Sequence, residues 1–254
     1  NLLAEIDPDT EKSARKATGS FYTPREIVDY MVEQSLVQYL KTKTAINDEV
    51  ALERLFKEGQ ETNQEDTFNS KEKDQILLAL SDVKILDPAC GSGAFPMGAL
   101  HKIILALKKL DPSAKWWKQK QLEKVSNALI RNQLKEKLDA ATSDYARKLG
   151  VIQHSIYGVD IQPIASEISK LRSFLSLVID ENIDDKAQNR GIEPLPNLEF
   201  KFVTANTLIG LPEEQGQQIS MFDNYEELQL LEQLRADYLQ SSGKKKEKIK
   251  ERFL

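Results

Sequence analysis

The sequence predicts an α/β fold built on parallel strands, and three observations predict it. A short β-branched run, Val83-Lys84-Ile85-Leu86-Asp87, ends in an acid and runs into a turn of small residues. A helix with Ala99, Ile103, Ile104 and Leu107 at helical spacing follows. Second and third strands are expected at Ser155 to Val159 and at the alternating Leu198 to Val203. Strand, Gly-rich turn and helix in that order bring bare backbone N–H groups and a helix N-terminus up to a ligand.

Before the first strand, Thr23-Pro24-Arg25-Glu26 reads as a capping box with proline at the first helical position. It opens a helix whose apolar residues Ile27, Val28, Met31 and Leu36 repeat at helical spacing. Thr23 either caps this helix or offers its hydroxyl, with the helix N-terminus, to a ligand carboxylate; the two roles are compatible. Residues 41–82 are acidic around Glu58 to Asp66 and read as a helical pair with a mobile tip.

Asp111 and Pro112 end the helix after the first strand. Trp116 to Leu149 then runs charged and helical, a helical insertion over residues 111–150. Trp116 and Trp117 beside Lys115, Lys118 and Lys120 have the composition of a nucleic-acid contact. The pattern favours a simpler reading, an amphipathic helix pinned to the domain by its tryptophans. Beyond the insertion, Asp160 follows the second strand and Pro163 starts the next helix. An acid there either caps that helix or accepts the hydroxyls of a ribose, and the Gly-rich turn upstream tips the balance to the ribose. Asn206, past the third strand, is either a turn former or an amide for the edge of a base. Phe95 and Ile161 are candidate apolar walls of the same pocket.

The turn itself excludes two ligands. A dinucleotide fingerprint needs a third glycine where Pro96 stands, counting from Gly91 and Gly93. A P-loop needs Lys-Ser/Thr after the second glycine, and Ala99-Leu100 follow Gly98. What remains is D-P-A-C-G-S-G-A-F over Asp87 to Phe95, an acid before a tight turn, which suits a ligand with a cationic amino group.

This motif resembles the first motif of S-adenosylmethionine-dependent adenine-N6 DNA methyltransferases, most closely those of type IIG restriction–modification enzymes. Gly19-Ser20-Phe21-Tyr22-Thr23-Pro24, Ile156-Tyr157-Gly158-Val159-Asp160-Ile161 and Phe202-Val203-Thr204-Ala205-Asn206-Thr207-Leu208 resemble three further motifs in the family's order. The resemblance covers most of residues 19–210. It implies a Rossmann-like class I methyltransferase sheet, incomplete here, with S-adenosylmethionine as cofactor. It carries cofactor contacts onto Tyr22, Thr23, Asp87, Ala89, Cys90, Gly91, Gly93, Phe95, Asp160, Ile161, Asn206 and Leu208. Asp87 is expected to take the methionine amino group, Gly91 and Gly93 to admit close backbone approach, and Asp160 to hold the ribose. The implied organisation is a helical segment over 1–82, an α/β cofactor domain over 83–212 and a basic helical segment over 213–254.

The family's N-P-P-Y or D-P-P-Y catalytic motif is absent, since no Pro-Pro pair occurs in the chain. No catalytic residue is therefore assigned, and the chain alone is expected to transfer no methyl group. It starts at Asn1 without a methionine, as an expressed fragment would, and the resemblance implies the N-terminal, cofactor-binding part of a longer enzyme. Double-stranded DNA is the expected partner of the whole enzyme. Two other functions stay open: a methyltransferase of RNA adenine or protein glutamine, and a non-catalytic regulatory module that binds the cofactor.

Composition is compatible with a cytoplasmic α/β protein: 254 residues, 40% hydrophobic, with no apolar run long enough for a membrane span. A net charge of −5 is a poor footprint for a stand-alone DNA binder. The lysines at 244–246, 248 and 250 read as a solvated charge run. One cysteine and two histidines exclude a structural zinc site and an internal disulfide. Cys90 reads as a small packing residue.

Overall fold

The structure is a computed structural model that describes residues 23–59, 67–125, 128–181, 185–186, 190 and 198–209. It is a mixed α/β arrangement, mostly helical, around a three-stranded parallel sheet in the order β1-β2-β3. Chain order is α1 (Arg25–Thr44), α2 (Glu49–Leu55), α3 (Ser70–Asp82), β1 (Ile85–Asp87), α4 (Ala94–Leu110) and α5 (Lys115–Glu123). It continues through α6 (Ala128–Ala140), α7 (Ser143–His154), β2 (Ile156–Asp160), α8 (Pro163–Val178) and β3 (Phe202–Thr204). Tyr22 and positions 60–66 and 210–254, with the lysine run and the segment expected to be helical over 213–254, lie outside the described residues.

Register fixes which strand residues share a face. Ile85 pairs with Ile156, Asp87 with Gly158, Gly158 with Phe202, and Asp160 with Thr204. Because side chains alternate along a strand, these residues share one face. There Ile156 and Phe202 are fully buried, and Gly158 lacks a side chain because a Cβ would meet Cys90 Sγ and Phe202 Cδ1, each at 2.8 Å. Leu86 and Val203 take the other face, where both are exposed.

α4 forms where the sequence predicts it, and its inward stripe Ala99, Ile103, Ile104 and Leu107 is buried. α1 lies alongside and runs in the same direction. Val28 sits where a Cβ on Gly98 would come within 2.5 Å, and Glu33 accepts a bond from Lys102 Nζ at 3.1 Å. The two N-termini therefore lie at the same end.

Several expectations need correction. The capping box at Thr23 does not form: α1 begins at Arg25, and Pro24 holds the cap position without a side-chain bond. The Pro24 carbonyl accepts the first helical bonds, from Ile27 and Val28, which leaves Thr23 one residue too early to cap. Ile27 and Met31 are about half exposed, and the buried face is Val28, Val32, Leu36, Val37 and Leu40, set by the seat of Val28 against Gly98. The third strand is shorter than Leu198 to Val203. Leu198 accepts from the amides of Lys201 and Phe202, so a turn precedes the strand and buries Leu198 by another route. Asp160 is the last residue of β2 rather than the first beyond it.

Over residues 111–150 the chain forms α5, α6 and most of α7, which runs on to His154. Trp117 is 1% exposed, and its Nε1 donates to the Ala146 carbonyl at 3.2 Å. Trp116 packs half-buried against the same core. The tryptophans pin α5 to the domain, and Trp117 has no face left for a base.

Candidate cofactor site

The three strands end together, with Asp87, Asp160 and Thr204 as their last residues. Ligands of open parallel sheets bind beyond these C-terminal ends. The Gly-rich turn sits there, pinned from two sides. Gly91 N donates to Asp160 Oδ2 at 2.8 Å, and Cys90 N donates to the Val159 carbonyl at 2.9 Å. From α8, Ser169 Oγ donates to the Gly91 carbonyl at 3.1 Å and Arg172 Nη1 to the Ser92 carbonyl at 2.7 Å. Ser169 and Arg172 were not singled out from the sequence. Serines 166, 169 and 173, small residues recurring on the buried face of α8, were the available signal of close approach.

Both glycines of the turn have left-handed backbone angles, φ +53° at Gly91 and +83° at Gly93. They differ in what surrounds them. A Cβ on Gly93 would lie 2.9 Å from Ser169 Oγ, whereas one on Gly91 would meet nothing within 4 Å. Gly93 is thus constrained by α8, and the open side of the turn lies at Gly91. Gly93 also supplies the N-cap of α4, whose N-terminus opens onto this edge.

Two carboxylates face the turn. Asp87 Oδ1 accepts from the Ala89 amide at 3.1 Å, while Oδ2 is buried and has no hydrogen-bond partner. Burial pushes the Asp87 carboxyl above its ordinary range; the Ala89 amide opposes this and the Asp160 charge adds to it. Asp160 accepts from Gly91 N through Oδ2 and from Gln162 N through Oδ1, each at 2.8 Å. A carboxylate has about four acceptor positions, so two remain on Asp160. Such a site, acidic and holding an orphaned carboxylate oxygen, fits a ligand that brings a cation and hydroxyl donors.

The remaining expected residues divide. Thr207 Oγ1 donates to the Pro88 carbonyl at 3.1 Å, drawing the segment after β3 against the first motif. Asn206 in that segment accepts from Leu208 N through Oδ1 at 3.0 Å, which is the turn-forming arrangement. Leu208 and Ile161 are exposed, and Phe95 is half-buried against the core. Cys90 is buried, and its thiol is pushed up to about 11, chiefly by burial, so it carries no thiolate at neutral pH. Thr23 is half-buried, two residues before the start of α1. Among the described residues no group of three or more His, Cys, Asp or Glu is placed to hold a metal ion. No helix among them is long and apolar enough to cross a membrane.

No family model and no solved structure matches the chain. It is similar to a protein of Methanocaldococcus jannaschii named as a candidate type II restriction enzyme and methyltransferase. The identity is 34% over 255 aligned positions, which take in 97% of this chain. The chain spans 19% of the length of that relative.

Proposed function

We propose that this chain is the cofactor-binding part of an S-adenosylmethionine-dependent methyltransferase of a restriction–modification system. Its target is adenine N6 in double-stranded DNA. The observation that carries the reading is the contact between the D-P-A-C-G-S-G turn and the acid at the end of β2, Gly91 N to Asp160 Oδ2. Similarity to a relative named for both restriction and methyl transfer supports it. In this reading residues 1–82 carry the helical segment with Thr23 and residues 83–212 the cofactor domain. Residues 213–254 are the further segment expected to be helical, with its lysines at 244–246, 248 and 250, and contacts to DNA come from elsewhere in the whole enzyme.

When bound, the cofactor supplies an electrophilic methyl group. The chain's own residues bind and orient. Asp87 receives the amino group on its unpartnered oxygen, and Asp160 receives ribose hydroxyls on its remaining acceptor positions. Gly91 admits a ligand on its open side, and the parallel N-termini of α1 and α4 favour a carboxylate. Ala89 and Cys90 shape the turn, while Phe95, Ile161, Asn206 and Leu208 surround the base, with Tyr22 beside Thr23.

Calorimetry with S-adenosylhomocysteine, NAD and ATP tests the reading. Binding of S-adenosylhomocysteine alone is the expected result. Binding of NAD or ATP with no response to S-adenosylhomocysteine would replace the reading with a different nucleotide site.

A further inference from the structure

The Gly-rich turn is held by more than its own sequence, and the hold comes from α8. A trans peptide points its C=O and its N–H in opposite directions. Ser169 Oγ bonds the Gly91 carbonyl, so the Ser92 N–H of the same peptide plane is directed away from α8. Arg172 bonds the next carbonyl, that of Ser92, and the Gly93 N–H of that plane turns back to the Cys90 carbonyl at 2.8 Å. Two consecutive peptide planes are thereby oriented by two side chains one helical turn apart. The steric fit is as specific as the bonds, because any side chain at position 93 would run into Ser169.

We propose that Ser169 and Arg172 are positioning residues that clamp the turn through its carbonyls and hold the Ser92 amide ready for the cofactor. The proposal rests on the cofactor reading above. Neither residue need touch the ligand. Arg172 is exposed on the outer side of α8, and its role is exerted through the Ser92 carbonyl. An unclamped turn must be ordered when the ligand arrives, and that ordering is subtracted from the binding free energy.

The test compares wild type, Arg172→Ala, Arg172→Lys, Ser169→Ala and Asp160→Ala by calorimetry with S-adenosylhomocysteine. Arg172→Ala and Ser169→Ala are expected to bind about five- to tenfold more weakly, the size of one lost hydrogen bond. Unliganded melting points should fall by no more than about 2–4 °C, the cost of one lost hydrogen bond, with the helices retained. Arg172→Lys, which keeps a donor for the Ser92 carbonyl, should recover most of the affinity. Amide exchange of Gly91 and Gly93, measured by NMR without ligand, should be faster in Arg172→Ala. Wild-type affinity in both alanine variants, with Asp160→Ala weakened, overturns the clamp and leaves the cofactor reading standing. A wild type that binds no S-adenosylhomocysteine overturns the cofactor reading, and amide exchange then decides alone. Faster exchange supports a clamp on the turn, and unchanged exchange overturns it.

Discussion

Gly91 and Asp160, 69 residues apart in sequence, are joined by a hydrogen bond of 2.8 Å from the glycine amide to the carboxylate. That bond ties the turn after β1 to the end of β2 across all of α4 to α7. Asp160→Ala leaves the amides of Gly91 and Gln162 without this acceptor. A hydrogen bond to a charged group contributes about 1.5–3 kcal/mol, so affinity for S-adenosylhomocysteine should fall about ten- to a hundredfold. Calorimetry reads this directly, and equal affinity would remove Asp160 from the site.

The two glycines of the turn should respond unequally. Gly91→Ala adds a methyl to open space at φ +53°, a cost of about 1–2 kcal/mol from backbone strain. Gly93→Val adds that strain and drives its side chain into Ser169, 2.9 Å from the Cβ position. Circular dichroism should show the helices of both variants retained, while the ligand-induced rise in melting point is lost in Gly93→Val. A Gly93→Val protein with the full rise would put the ligand elsewhere.

Asp87 gives a dependence on pH whose sign is fixed by its surroundings. Burial, above the opposing Ala89 amide, raises its carboxyl from the ordinary value of 3.8. A raised folded pKa means that the charged form costs stability above it, and the cost fades as pH falls toward the unfolded value. Asp87→Asn removes the charge, so the unliganded variant should melt at or above wild type at neutral pH, with the gap closing as pH is lowered. A cationic ligand needs the carboxylate, so wild-type affinity should decline as pH falls through the raised value. The Asn variant should bind weakly with a flat profile. Melting curves and calorimetry across the acid range check both, and wild-type affinity in Asp87→Asn would contradict the assignment.

Trp117 is predicted to matter for stability. Truncating a buried tryptophan typically costs about 3–5 kcal/mol. Trp117→Ala also removes the indole N–H bond to the Ala146 carbonyl. Denaturant unfolding should show a large loss, with Trp117→Phe intermediate. A stable Trp117→Ala protein would reopen the nucleic-acid reading of the tryptophan pair.

What the sequence made legible was local. The order of acid, small-residue turn and apolar helix from Asp87 to Leu107 placed β1, the turn and α4, because short-range spacing alone dictates them. Pro163 marked the start of α8 for the same reason. The errors arose where tertiary packing decides. Val28 against Gly98 rotated the buried face of α1 away from Ile27 and Met31, and a turn at Leu198 shortened β3. The contacts that shape the turn, Ser169 and Arg172 to its carbonyls, join residues 78 and 80 positions apart; the serine spacing of α8 signals only close approach, and no local pattern announces Arg172. Gly93 does need a glycine's backbone angle, at φ +83°, but the atom its absent side chain would strike belongs to α8.

The central claim is that the cofactor lies on the turn between Asp87 and Gly93, against Asp160. Isotope-labelled protein titrated with S-adenosylhomocysteine and followed by NMR locates the ligand residue by residue. The account predicts saturable shifts of the Ala89, Gly91, Ser92, Gly93 and Asp160 amides, with the signals of α5 and α6 unmoved. Shifts confined to another region, such as the charged cleft at Arg25, Lys57 and His101, would contradict it.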